Sequence, residues 1–232
     1  MLRIVNFISG DGSTNLAILQ AENSGGKLHG LVKTLAIISD NLKTLNIQKI
    51  RDEGVSTSDV WTVNPEKEDF TNQILEILDK YKPDYFHQVG WMPLTPLEVI
   101  KRYRGLNQHL GPGGKWMYGK RRIYAHIRFC EMIRETRPIP IFCQRVAPKY
   151  DEGNVIYVQY EDILSNETVE EVAKRLLKIE YQVQIEALYR LATNSFEERP
   201  VPKTALNPEE ERILLKAKKE ALNKYPLKSK IG

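Results

Sequence analysis

Residues 3–15 read Arg3-Ile4-Val5-Asn6-Phe7-Ile8-Ser9-Gly10-Asp11-Gly12-Ser13-Thr14-Asn15. The first six form a short, β-branched apolar run, the pattern of a strand buried on both faces. The next seven are turn formers, and Leu16 to Glu22 then reads as helix, stopped by Ser24-Gly25-Gly26. A buried strand that passes through a Gly-rich turn into a helix is the opening unit of a parallel α/β sheet.

The alternation continues outward from this unit. Val32 to Ser39 reads as a second strand, and Asn46 to Glu53 as a helix closed by Gly54. Between Phe70 and Lys82, Ile74, Leu75, Leu78 and Tyr81 repeat at the helical i, i+3/i+4 spacing, and Pro83 ends the run. Tyr85 to Gly90 is the next strand, Thr95 to Tyr103 a helix, and Gly105 to His109 a short strand. Arg122 to Glu135 reads as helix, and Ile139–Val146 and Val155–Tyr160 as antiparallel strands joined through residues 148–154. Thr168 to Thr193 is one long helix, with Asn166 or Ser165 as its N-cap. Five successive β-then-α units predict an α/β fold: a mostly parallel mixed sheet with helices on both faces. The expected organisation is a domain over 1–196, then a linker and C-terminal helix over 197–232. Asn207-Pro208-Glu209-Glu210-Glu211 supplies that helix with an N-cap, a first-turn proline and an acidic start.

The chain has 232 residues, 41% hydrophobic and 28% charged, an ordinary globular composition. No apolar run approaches the roughly 18–20 residues needed to cross a bilayer, and no secretory signal is read at the start. Cys130 and Cys143 make neither a disulfide framework nor a zinc spacing, so a reducing cytoplasm is expected and no metal. The net charge of +4 sits entirely in residues 201–232, which hold eight basic and four acidic residues. The body is neutral, so neither nucleic acid nor a membrane surface is an expected partner.

Open α/β sheets bind ligands at the carboxyl ends of their strands, so chemistry is sought there. Gly12, Ser13, Thr14 and Asn15 bring unpaired N–H groups and a helix N-terminus together, a phosphate site in outline. The same residues also serve a plain turn and cap. Asn107 and His109 are two apart and point to one side of an extended chain. Together they can donate to a developing oxyanion or move a proton, or simply end a strand in a Gly-rich turn. Asp151 opens a turn into the following strand; beside His109 it would orient the ring and raise its pKa. Lys115, Lys120, Arg121 and Arg122 adjoin the His109 loop, where they meet either an anionic substrate or solvent. Trp91 and Met92 are read as core, or as pocket lining at the sheet end.

Taken in order, four pieces resemble the phosphoribosylglycinamide formyltransferases over roughly residues 1–193: Ile8-Ser-Gly-Asp-Gly-Ser13, Gly90-Trp-Met92, Asn107-Gln-His109 and Asp151-Glu-Gly153-Asn-Val. The resemblance implies a Rossmann-like formyltransferase fold and 10-formyltetrahydrofolate as formyl donor. It implies that Gly12, Ser13, Thr14 and Asn15 hold the phosphate of glycinamide ribonucleotide, and that Trp91, Met92 and Leu94 line the folate pocket. Asn107, His109 and Asp151 would be the formyl-transfer trio, acting on a phosphorylated amine that attacks directly. Glu186 is matched to an acidic residue near the substrate amine. The chain departs from the family in a longer phosphate turn, in Pro93 where arginine is common, and in Leu110-Gly-Pro-Gly-Gly114 after the histidine. Other acceptors, an amino sugar nucleotide or methionyl-tRNA, and a non-catalytic ligand-binding protein are the alternatives. A monomer or homodimer is expected.

Overall fold

β1 (Leu2–Ile8) is an interior strand of a seven-stranded sheet, and its side chains are buried on both faces from Ile4 to Ile8. The computed structural model describes residues 1–41, 43, 47–112, 117, 119–149, 152–164, 167–203 and 205–226. The strands are β1, β2 (Val32–Ser39), β3 (Val60–Thr62), β4 (Tyr85–Gln88), β5 (Gly105–Leu110), β6 (Ile139–Arg145) and β7 (Val155–Glu161). Their order across the sheet is β3-β2-β1-β4-β5-β6-β7. The first five run parallel, whereas β6 is antiparallel to β5 and β7 to β6. The order reverses at β1/β4, and such a switch opens a crevice outside the strand ends.

The helices are α1 (Ser13–Glu22), α2 (Ile47–Asp52), α3 (Phe70–Tyr81), α4 (Leu97–Arg102), α5 (Gly119–Ile133), α6 (Val169–Ala192) and α7 (Pro208–Lys224). Alternation along β1 divides the core in two. Ile4 and Ile8 pack with Ile18 and Leu19 of α1, Ile50 of α2, and Ala187 and Leu188 of α6. Val5 and Phe7 pack on the opposite face with Phe70, Ile74 and Leu78 of α3 and Val99 of α4. Each such fully buried side chain contributes about 1.5–3 kcal/mol. Ile123 of α5 shares a further cluster with Ile139, Ile141, Val172 and Leu176, which places α5 on the α6 side. α7 then lies on α5 through Leu214 and Ala217 against Phe129.

Several boundaries differ from the sequence reading. α1 starts at Ser13, three residues before its first apolar residue, because Gly12 takes φ 77° and its carbonyl already accepts from Leu16 N at 2.9 Å. Likewise, α5 starts at Gly119. The N-cap of α6 is Thr168, which exchanges bonds with Glu171 in a capping box. β3 and the 3-10 turn before it, Thr57–Asp59, went unread, since a three-residue edge strand carries no periodicity. Residues 197–203 run extended, and Arg199 bridges Val155. Among the described residues, no helix is long and apolar enough to cross a membrane.

Candidate active site

The turn after β1 is built as a helix entry. Asp11 Oδ1 accepts from Ser13 N at 3.0 Å, so the turn is closed by its own side chain. Thr14 and Asn15 are buried. Asn15 faces inward, where its Oδ1 accepts from Asn6 Nδ2 at 2.7 Å. Thr34 continues this polar floor beneath α1, donating from N and Oγ1 to the carboxylate of Glu22 at 2.9 and 2.5 Å. Burial pushes the Glu22 carboxyl upward, against the pull of those Thr34 bonds. Of the four residues read as a phosphate cradle, Gly12 and Ser13 form the turn, while the Asn15 side chain is spent on the core.

The ends of β1, β2 and β4 are tied together. Ser9 Oγ accepts from Met92 N at 2.8 Å, and its hydroxyl bonds Asp40 at the end of β2, whose carboxyl is raised by burial. Beyond Gly90, Trp91 is buried, edge-on to Phe7 at 5.3 Å and stacked over Phe70 at 6.4 Å. Met92 and Leu94 are 56% and 68% exposed, so the loop turns its apolar side chains outward. Beneath it lies a small, partly open pocket of about 50 Å³ lined by Gln88, Trp91, Leu94, Thr95, Asn107 and Gln144, among others. Gln88 Nε2 donates to Thr95 Oγ1 on its wall. Trp91 Nε1 is a buried donor with no protein partner among the described residues.

β5 supplies the chemistry-bearing row. Asn107 pairs with Gln88 on β4 and Gln144 on β6, and it faces the pocket. His109 is two residues on, 4% exposed, with its ring against Phe142 at 4.5 Å between centroids. Gln108 points to the other face and bonds Glu180 on α6. Burial raises the Glu180 carboxyl to about 7, against the pull of Gln108 and the Arg122 charge. His87, on the same face, is pushed down to about 4 by burial.

Asp151 and Lys115 lie outside the described residues. The chain following Asp151 returns to the pocket edge: Asn154 O accepts from Arg145 N at 2.8 Å, next to Gln144. The remaining basic residues are engaged elsewhere. Lys120 approaches Glu170 at 3.5 Å. Arg121 donates to Tyr225 O at 2.5 Å and Pro226 O at 2.8 Å, beyond the end of α7. Arg122 is buried and donates to the carbonyls of Leu110 and Met117. Glu186 pairs with Lys27 and with Arg190, the latter at 2.7 Å. Burial would raise its carboxyl, but these cations hold it below the usual value. Among the described residues, no group of three or more His, Cys, Asp or Glu side chains has the arrangement to hold a metal ion.

Sequence reasoning passed over Glu180, Gln88, Thr95 and Gln144. Glu180 carried a readable signal: it stands on the buried stripe of α6 between Leu176 and Val183, where an acid is out of place. The other three required the strand order to be known.

A family model described as formyl transferase matches residues 2–188. The phosphoribosylglycinamide formyltransferase of Saccharomyces cerevisiae is 26% identical over 211 residues, covering 82% of this chain and 97% of that protein. The chloroplastic phosphoribosylglycinamide formyltransferase of Vigna unguiculata is 26% identical over 196 residues, and the chain spans 60% of its length. The solved phosphoribosylglycinamide formyltransferase from Brucella melitensis superposes with a TM-score of 0.64 at 26% identity, covering 82% of this chain and 95% of that one. With four-fifths of its length matched and the pocket at the expected strand ends, this chain belongs to the formyl transferase family.

Proposed function

We propose that the chain transfers the formyl group of 10-formyltetrahydrofolate to the amine of glycinamide ribonucleotide. The observation that carries this reading is the row on β5, with Asn107 on the pocket wall and His109 one pleat further. The names of the relatives from Saccharomyces cerevisiae and Vigna unguiculata supply the acceptor. The chemistry of the pocket lining is that which a heteroaromatic ring needs: Trp91 and Leu94 are apolar, while Gln88, Asn107, Gln144 and the buried Trp91 Nε1 offer polar contacts. Residues 1–196 carry the activity and 197–232 support it from outside.

The substrate amine attacks the formyl carbon, a C–N bond forms, and the carbonyl oxygen becomes an oxyanion. Asn107 donates to that oxyanion, and such donors are typically worth about 10²–10³ in rate. His109 relays the proton lost by the attacking amine to the leaving folate nitrogen, whose bond to the formyl carbon breaks as the carbonyl reforms. Asp151 orients His109. The N–H groups of Gly12 and Thr14, at the positive end of α1, hold the phosphate, while the Ser13 N–H closes the turn on Asp11.

The test is an acceptor panel. Purified protein with 10-formyltetrahydrofolate should release tetrahydrofolate on addition of glycinamide ribonucleotide. Turnover with an amino sugar nucleotide and none with glycinamide ribonucleotide would overturn the assignment of the acceptor.

A further inference from the structure

We propose that Arg122 is a positioning residue for transfer at the end of β5: it fastens the backbone on both sides of the post-histidine loop and so fixes where the strand bearing Asn107 and His109 stops. Arg122 Nη1 donates to Leu110 O, directly after His109, and Nε donates to Met117 O, just before α5. One planar guanidinium thus holds both ends of the loop, a grip that a lysine ammonium cannot copy in geometry. The side chain is buried, and burying a cation is costly unless its donors are met, so these bonds are integral to the site.

Gly111, directly after Leu110, is fitted to this arginine. Gly111 has φ +94°, and a Cβ added there would collide with Arg122 Cδ and lie 3.0 Å from Cγ. Gly111 N donates to Pro140 O at 2.6 Å, which binds the same point to β6. From outside, the neighbouring Arg121 is held by the carbonyls of Tyr225 and Pro226, so the first turn of α5 is anchored on two sides. A loosened loop would let His109 drift, and a misplacement near 1 Å costs on the order of a hundredfold in rate. The proposal rests on the formyl-transfer reading for its activity assay but not for its structural readout.

The test compares Arg122→Met, Arg122→Lys and Gly111→Ala with the wild type in kcat, KM for both substrates, and amide hydrogen exchange at Gly111. Arg122→Met is expected to lower kcat by about tenfold to a hundredfold with both KM values within about threefold. Gly111 exchange should quicken by at least about tenfold, and Arg122→Lys should recover part of both effects. Gly111→Ala should reproduce the kcat loss by displacing the arginine, and the double variant should be no worse than the poorer single one. Unchanged Gly111 exchange together with kcat within about twofold of wild type in Arg122→Met overturns the proposal, as does kcat within about twofold of wild type in Gly111→Ala. Should Arg122→Met fail to fold, Arg122→Lys decides: Gly111 exchange and kcat both within about twofold of wild type overturn the proposal. Should the wild type itself transfer no formyl group, the exchange rates decide alone: quickened exchange upholds the clamp and unchanged exchange overturns it, while the missing turnover counts against the proposed function.

Discussion

His87 on β4 and Gln184 on α6 meet across the sheet face at 3.0 Å, Nε2 to Oε1, joining residues 97 apart in sequence. Gln184 Nε2 points to Phe142 O at 3.4 Å, so Oε1 is the acceptor and the His87 proton sits on Nε2. Burial depresses the imidazole to about 4, and the Gln184 bond offsets only part of that. The unfolded chain therefore takes up a proton near pH 6.5 that the folded chain refuses. The stability that His87 contributes is complete above about pH 6.5 and is lost as pH falls towards 4, on the order of 3 kcal/mol. Urea unfolding between pH 7 and 4.5 should show a flatter acid limb in His87→Gln than in the wild type. Parallel limbs would contradict the burial of a neutral ring.

Glu180 works in the opposite direction. Its carboxyl is raised to about 7, so its stabilising effect is complete below about pH 4.5 and is lost as pH rises through 7. Glu180→Gln should therefore gain stability relative to wild type as pH rises from 5 to 8, by about 1–3 kcal/mol. The check is the difference in unfolding midpoint at pH 5 and pH 8; a constant difference would count against a protonated Glu180.

Leu214 is 5% exposed and sits with Ala217 against Phe129, the centre of the α5–α7 contact. Leu214→Ala should cost about 2–5 kcal/mol if α7 unfolds together with the domain. A normal main melting transition preceded by a separate early loss of helix would instead show α7 detaching alone.

His109→Ala should lower kcat by about 10²–10⁴, the range for a positioned acid–base group, with little change in donor affinity. Asn107→Ala should lower it by about 10²–10³. Donor binding followed by quenching of tryptophan fluorescence separates binding from chemistry, and an effect below about tenfold on kcat would remove either residue from its role.

Most of the fold was legible because parallel strands buried on both faces leave apolar runs, and because Gly12, Gly90 and Pro83 punctuate them. Spacing two apart gave Asn107 and His109 a common face, and β5 is extended through both. What remained hidden depends on long-range packing. That the Asn15 side chain meets Asn6 beneath α1 could not be read locally, because the pairing depends on how α1 packs on β1. Arg121 and Arg122 looked like a basic surface because their partners, Tyr225, Pro226 and the carbonyls of Leu110 and Met117, become visible only once α7 and the loop are in place. On α6, Glu180 lies beneath β5, whereas Glu186, six residues on, pairs with Lys27 near α1.

In the proposed reaction a formyl carbon passes to the amine of glycinamide ribonucleotide at the end of β5. Donor labelled with ¹³C in the formyl group, incubated with glycinamide ribonucleotide and followed by carbon NMR, tests it directly. The wild type should move the label from the folate resonance to a ribonucleotide formamide, and His109→Ala should leave it on the folate over the same time. Transfer at equal rates in both proteins, or label that stays on the folate with the wild type, would contradict the account.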